Sequence, residues 1–240
     1  MGERMTEKDG GLDPELRDGL IEHLSGFLTD ARRDRMEWVL ERRTRRVTVL
    51  LEDVYQPHNA SAVLRSCECF GVQDVHVFEG RNVYSPSPDV AMGAAQWLDL
   101  IRHTASEGET ITSCCEQLRS GGYRVVAATP REEATRLDDL MLSDRVAIML
   151  GTEDAGLSEE ALAAADECVC IPMQGFTESF NVSVCAALIL YQITTRMRSD
   201  GEEDFGLSSE EKQELRLRWY RSSIKRVHLL EERYLEQRKA

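Results

Sequence analysis

Apolar residues recur at helical spacing from about Pro14 to Arg43, with Leu16, Leu20, Leu24, Phe27 and Leu28 followed by Met36, Val39 and Leu40. The rhythm then changes. Short β-branched runs at Val47–Glu52, Asp74–Phe78, Arg124–Thr129, Val146–Leu150 and Cys168–Ile171 predict buried strands. Helical stretches near 60–69, 106–119, 158–165 and 182–198 lie between or after them. Continuous apolar strands alternating with helices predict an α/β domain whose parallel sheet is covered on both faces. Ser199–Ser209, rich in Asp, Glu and Gly, reads as a linker. A last helix is predicted by Tyr220, Ile224, Val227, Leu230 and Tyr234 along one stripe. The first dozen residues are polar and read as disordered. The chain is thus expected to comprise a helical, partly basic extension at 1–46, an α/β domain at 47–198, and an acidic linker with a basic helix at 199–240.

Composition narrows the class. With 42% hydrophobic and 30% charged residues the chain has the make-up of an ordinary globular protein. No apolar run reaches 18 residues, so no membrane partner is expected, and the acidic N-terminus does not resemble a secretory signal. Seven cysteines, an odd number, point to a reducing cytoplasm. Cys67/Cys69, Cys168/Cys170 and the adjacent Cys114 and Cys115 do not combine with one another or with histidines at zinc-site spacing, so no metal is expected.

A net charge of −14 argues against nucleic acid until its distribution is considered. Residues 31–46 hold seven arginines (Arg32, Arg33, Arg35, Arg42, Arg43, Arg45 and Arg46) against three acids. Residues 212–240 hold nine Lys/Arg, among them Arg218, Arg221, Lys225 and Arg226, against four Glu. Both ends are basic around an acidic centre. Solvated helix faces explain this as well as a polyanion grip does.

Ligands of open parallel sheets gather beyond the carboxyl ends of the strands, and three such loops stand out. None is the G-x-G-x-x-G of dinucleotide-binding folds. The first, after Val47–Glu52, reads Gln56-Pro57-His58-Asn59-Ala60-Ser61-Ala62-Val63-Leu64-Arg65-Ser66. Asn59 is an expected N-cap and Gly71 an expected stop for the helix that follows. On that helix Ala60, Val63, Leu64, Cys67 and Phe70 share one arc, with Arg65 opposite. The second, after Val146–Leu150, reads Gly151-Thr152-Glu153-Asp154-Ala155-Gly156-Leu157-Ser158, with Ser158 capping the next helix. The third runs Ile171-Pro172-Met173 to Ser179-Phe180-Asn181-Val182-Ser183-Val184. Each alone is also explained by turns and caps.

The three together, in this order and each after its own strand, resemble the motifs of the SPOUT superfamily, in its TrmH-like 2′-O-ribose methyltransferase branch. The resemblance spans about Arg32 to Met197, and Gly93-Ala94-Ala95-Gln96-Trp97-Leu98 is similar to that branch's small-residue loop before a strand. It implies an α/β sheet whose C-terminal part forms a deep trefoil knot, a homodimer, and S-adenosylmethionine as cofactor. Carried over by position, the cofactor loops are Thr129, Leu150, Gly151, Ile171, Pro172, Met173 and Phe180, and the catalytic positions are Asn59, Arg65, Glu153, Ser179 and Asn181. Phe180 and Glu178 depart from the usual Leu and uncharged residue of the family; the first is an apolar exchange and the second adds negative charge near the RNA site.

The implied reaction is transfer of a methyl group to a ribose 2′-hydroxyl of tRNA, at the D-loop guanosine of position 18. The basic flanks, through Arg32, Arg33, Arg42, Arg43, Arg45, Arg46, Arg218, Arg221, Lys225 and Arg226, are expected to supply RNA grip. Ribosomal RNA or another tRNA position is the alternative substrate, and a non-catalytic RNA-binding dimer the alternative of another class. A guanidinium, ordinarily protonated up to pH 12 or above, is better suited to hold an RNA phosphate than to act as base, and Glu153 is the rival base.

Overall fold

The computed structural model describes residues 12–84, 93–131, 133–142, 145–199 and 205–239. The polar N-terminal stretch and the middle of the acidic linker lie outside the described residues. Packing divides the chain into two compact units, Arg43–Gly206 and the two chain ends, Met1–Arg42 with Leu207–Ala240.

The larger unit is built on a seven-stranded parallel sheet. Its strands are β1 (Val47–Glu52), β2 (Asp74–Glu79), β3 (Asp99–Thr104), β4 (Tyr123–Ala128), β5 (Thr135–Arg136), β6 (Arg145–Leu150) and β7 (Glu167–Cys170), in the spatial order β3-β2-β1-β6-β4-β7-β5. β1 and β6 pair Val47 with Val146 through Leu51 with Leu150, so both end together. Every residue of β1 is buried, as a central strand covered on both faces requires. In chain order the helices are α1 (Pro14–Ser25), α2 (Asp30–Leu40), α3 (Pro57–Phe70), α4 (Ile111–Ser120), α5 (Glu159–Ala164), α6 (Val182–Ser199), α7 (Ser209–Ser223) and α8 (Val227–Lys239). On one face, Ala60, Val63, Leu64 and Cys67 of α3 pack with Val182, Ala186, Ile189 and Ile193 of α6 against Val49, Leu51 and Ile148. On the other, Ile111, Cys114, Cys115 and Leu118 of α4 and Ala161 of α5 cover Leu50, Val125 and Met149.

Five strands and the sheet class follow the sequence reading; several details do not. β3 and the two-residue β5 escape the apolar pattern, because Asp-Leu-Ile-Arg-His-Thr lacks a continuous apolar run, although the resemblance of Gly93–Leu98 to a loop before a strand anticipates β3. Asn59 is not the N-cap of α3: the helix begins three residues earlier, with Gln56 at the cap position and Pro57 preset in the first turn. Gly71 does end α3, in the left-handed conformation at φ 81°.

Two arginines expected to grip RNA are structural instead. Arg43 is 0% exposed and donates to the Val72 carbonyl at 3.1 Å and to Glu68 at 3.2 Å. Arg45 bridges Asp74 at 3.0 Å and Asp99 at 2.8 Å, the first residues of β2 and β3. Both clamp the amino-end edge of the sheet, away from its ligand-binding edge, because buried carboxylates and carbonyls there need donors.

The chain ends make a helical unit around Leu20, Leu24, Met36, Leu40, Leu215, Trp219 and Tyr220. Each long helical pattern in the sequence is two helices. The first breaks over Gly26–Thr29, where the Thr29 hydroxyl caps α2; the second breaks at Ile224–Arg226, with Arg226 at φ 56°. Gly19 gives the Tyr234 ring of α8 room against α1: a Cβ there would meet its hydroxyl at 2.0 Å unless that side chain moved. Arg216 binds Glu37 at 2.5 Å and Lys212 binds Glu41 at 2.7 Å, tying α7 to α2.

One buried polar chain crosses β2 and β3. His76 Nδ1 lies 3.0 Å from His103 Nε2, and His103 Nδ1 lies 3.1 Å from Glu109, which also accepts from the Thr104 amide and Gln117. Burial works to raise the Glu109 carboxyl, but the donors His103, Gln117 and Thr104 outweigh it and hold it below its ordinary value. Burial, with His103 beside it, pushes His76 down from 6.5 to about 4. Between those limits the unfolded chain binds a proton that the folded chain refuses. The contribution is therefore complete above pH 6.5 and is lost as pH falls through the window toward 4. At pH 5 the loss is about 2 kcal/mol. Denaturant titrations at pH 7 and pH 5 should show wild type losing about that much more stability than His76→Gln; equal losses in both proteins would contradict the assignment.

Candidate active site

Because all strands run parallel, β1, β4, β6 and β7 deliver their following loops to one edge. Three of those loops are joined there by side chains. Asn59, in the first turn of α3 and buried, donates to Gln56 at 3.1 Å and to the Glu153 carboxylate. Its carbonyl oxygen accepts from the Asn181 amide at 3.2 Å. The Asn181 oxygen in turn accepts from the Ser183 amide at 2.9 Å and hydroxyl at 2.6 Å, opening α6. Asn181 thus caps α6 and also ties its loop to Asn59.

Glu153 Oε1 is committed to Asn59, whereas Oε2 is buried and has no hydrogen-bond partner among the described residues. An orphaned acceptor of this kind carries a desolvation cost of about 1–3 kcal/mol until a donor arrives. Its loop is otherwise firmly held. Thr152 and Gly156 exchange backbone bonds at 3.1 and 3.0 Å, and Tyr55 donates to Asp154 at 3.3 Å. Glu52, the last residue of β1, accepts from the Ser158 amide at 2.8 Å and hydroxyl at 2.5 Å. Sequence reasoning missed Glu52 and Tyr55, since nothing in their spacing marks a partner a hundred residues away. Ser158 caps α5 as expected, through the Ala161 amide.

The remaining positions fall around this junction of three loops. Leu150 and Gly151 are buried at the end of β6, Thr129 follows β4 with its amide bonded to Val169, and Ile171, Pro172 and Met173 are half-buried after β7. Phe180 is 41% exposed. These make a wall of apolar side chains and backbone across three adjacent strand ends. Arg65 is exposed two turns into α3, and Ser179 is exposed on the loop. Neither touches the Asn59–Glu153–Asn181 group. Arg65 makes no hydrogen bond or ion pair among the described residues.

The structure also assembles His103, Glu109 and Cys114, with donor atoms within 4.8 Å of one another, a group that residue spacing did not reveal. His103 and Glu109 are already satisfied by hydrogen bonds, as described above. All seven cysteines are free thiols. Burial pushes Cys67 and Cys114 up to about 12, and Cys115 and Cys185 up to about 11, so these four are packing groups rather than nucleophiles. No helix among the described residues is long and apolar enough to cross a membrane.

A seven-stranded parallel α/β sheet with flanking helices is the fold of the TrmH/SpoU tRNA modifying enzymes, and the sequence comparison gives the class. Residues 46–191 match the SpoU rRNA Methylase family, and the chain belongs to that family. It is 40% identical over 208 residues to a tRNA (guanosine(18)-2′-O)-methyltransferase of Borreliella burgdorferi, covering 87% of this chain and 93% of that one. A tRNA (guanosine(18)-2′-O)-methyltransferase of Thermus thermophilus is 38% identical over 164 residues, 68% of this chain and 82% of its own. Among solved structures, the Aquifex aeolicus TrmH/SpoU tRNA modifying enzyme superposes with a TM-score of 0.72 at 25% identity, covering 82% of this chain and 98% of that one.

The tightest constraint in the site is Gly151. A Cβ there would lie 2.2 Å from the Gly156 carbonyl and 2.4 Å from the Leu157 nitrogen, both backbone. Gly151→Ala should therefore displace the 151–157 loop and cost about 2–3 kcal/mol of stability in urea titration. A variant of unchanged stability would show that the loop is not packed as described.

Proposed function

We propose that this chain is an S-adenosylmethionine-dependent tRNA 2′-O-methyltransferase acting on the guanosine at position 18, and that it works as a homodimer in the cytoplasm. The observation that carries the site assignment is the Asn181–Asn59–Glu153 tie, which leaves one carboxylate oxygen aimed into the loop cluster without a donor. The substrate follows the Borreliella and Thermus relatives, both tRNA (guanosine(18)-2′-O)-methyltransferases, which match along most of the chain. The non-catalytic alternative is disfavoured by the presence of all five catalytic positions, and ribosomal RNA by the longer and closer match to tRNA enzymes than to a 23S rRNA enzyme.

The residues present fit the cofactor. Leu150–Gly151, Ile171–Met173 and Phe180, with Thr129 beside them, offer backbone polar groups and apolar side chains at three adjacent strand ends, a lining suited to an adenine ring and a short polar chain. When bound, S-adenosylmethionine supplies a methyl group on a positively charged sulfur. Glu153 Oε2 accepts the hydrogen bond, and then the proton, of the ribose 2′-hydroxyl, which makes the hydroxyl oxygen more nucleophilic. Asn59 and Asn181 hold that carboxylate in place. Arg65, exposed on α3, binds the adjoining phosphate as a fork of donors and stays charged throughout. Ser179 lies on the RNA side of the same loop.

Two structural features belong to this reading. The dimer is supported by α6, whose Val182, Ala186, Ile189 and Ile193 face the chain's own core while Val184, Leu188 and Tyr191 remain 44%, 40% and 58% exposed along the opposite stripe. A second copy of the same stripe is its natural cover. The trefoil knot is supported by the return of α6 onto α3 after β7, with Phe70 and Tyr191 in ring contact at 6.2 Å and Arg198 donating to the Phe70 carbonyl at 2.9 Å. Of the basic residues expected to bind RNA, Arg32, Arg42, Lys225 and Arg226 are exposed, Arg33, Arg46, Arg218 and Arg221 are partly so, and all retain that proposed role.

Incubation with tRNA and S-adenosylmethionine, followed by nucleoside mapping, should place the methyl on the ribose of guanosine 18; methylation of ribosomal RNA alone would overturn the substrate. Arg65→Ala should lower turnover at least about a hundredfold while S-adenosylhomocysteine affinity stays within about threefold. Near-normal turnover at saturating tRNA would contradict the role given to Arg65. Light scattering at micromolar concentration should report a dimer, and a monomer would contradict the use made of α6.

A further inference from the structure

The helix α2 sorts its side chains by face. Met36 and Leu40 are buried in the helical unit, Glu37 and Glu41 bind Arg216 and Lys212 of α7, and Asp30 pairs with Arg33. The opposite face carries Arg35, Trp38 and Arg42, at spacings of three and four residues that place them one above another. Asp34 and Glu41 are exposed carboxylates bordering this stripe, and Glu41 is engaged by Lys212. Trp38 is 49% exposed although the unit has an apolar core to receive such a ring. Both arginines lie over it: the guanidinium carbon of Arg35 is 4.5 Å, and that of Arg42 4.0 Å, from the ring centroid. Arg42 also donates to the Trp38 carbonyl at 2.8 Å. A tryptophan face attracts a guanidinium strongly enough to restrict its rotamers. The ring thereby restrains Arg35 and adds to the hold on Arg42 before any partner arrives, which lowers the entropy lost on binding.

We propose that Trp38 is a positioning residue that holds Arg35 and Arg42 as a paired guanidinium clamp for the phosphodiester backbone of the RNA substrate. Stacking uses the guanidinium faces and leaves N–H edges to meet phosphate oxygens, for which the planar fork is suited. The inference rests on tRNA being the substrate, as proposed above, and goes beyond it by naming the aromatic residue that organises the grip. Neither Trp38 nor Arg35 stood out as an RNA contact from the sequence, where charge alone was counted.

The test compares tRNA binding across salt for wild type, Trp38→Leu, Trp38→Phe, Arg35→Gln/Arg42→Gln and the triple variant. Trp38→Leu keeps both charges, yet it should weaken binding about tenfold at moderate salt, and Trp38→Phe, which keeps a ring face, should recover most of the loss. The arginine pair variant should lower the logarithmic salt slope by about 1.5, reflecting about two phosphates. Adding Trp38→Leu to that pair should cost less than about twofold more, because the ring has nothing left to hold. Thermal stability and S-adenosylhomocysteine affinity should be unchanged in Trp38→Leu, which separates the clamp from a folding defect. Wild-type binding by Trp38→Leu, or a full tenfold loss when it is added to the arginine pair variant, would overturn the clamp while leaving the tRNA reading intact. Wild-type protein that neither binds nor methylates tRNA would overturn the substrate reading, and the clamp with it.

Discussion

One buried primary amide holds the site together. The Asn59 side chain has two donor hydrogens and a carbonyl oxygen, and all are used: toward Gln56 before α3, Glu153 after β6, and Asn181 before α6. A buried amide left short of partners costs free energy, so the arrangement of minimum energy is the one in which all three loops converge. Parallel strands make that convergence possible, because they bring chemically unrelated segments, up to 122 residues apart in sequence, to one edge. The Glu153 carboxylate can then be half-satisfied and half-vacant. The tied loop keeps Oε2 buried, with no hydrogen-bond partner among the described residues.

The two compact units divide the electrostatics. In the Arg43–Gly206 unit, Arg43 and Arg45 neutralise acids at the amino edge of the sheet. In the unit made by the chain ends, ion pairs join α7 to α2, and Arg32 and Arg35 of α2 and Arg42 just after it are exposed. An acidic protein can therefore carry a locally basic helix face. Net charge describes solubility and long-range repulsion, whereas binding of a polyanion depends on which face each charge occupies.

The sequence made legible whatever depends on local periodicity or contiguous motif. The apolar runs of β1 and β6, the buried arc of α3, the Gly71 stop and the Ser158 cap all follow from neighbours within a few residues. What was hidden depends on distant partners. Arg43 reads as one of a basic cluster until Val72 and Glu68 are known to surround it. Glu52 reads as the polar end of a strand until Ser158 arrives across 106 residues. Asn59 reads as a cap because Asn favours that position, but Pro57 starts the helix earlier and frees the amide for the loops. The continuous helical patterns at both ends hid their breaks because the apolar stripe resumes in phase after each turn.

Asn59 ties the loop bearing Asn181 to the Glu153 carboxylate proposed as base, and Asn59→Ala tests that tie most directly. S-adenosylhomocysteine affinity by calorimetry and single-turnover methylation of tRNA should be measured on the same folded preparation. With the tie gone, affinity should fall at least about tenfold and the methyl-transfer rate at least about a hundredfold, because the loop bearing Asn181 and the Glu153 carboxylate both lose their anchor. Affinity and rate both within about threefold of wild type would show that the loops hold themselves and that Asn59 is a bystander.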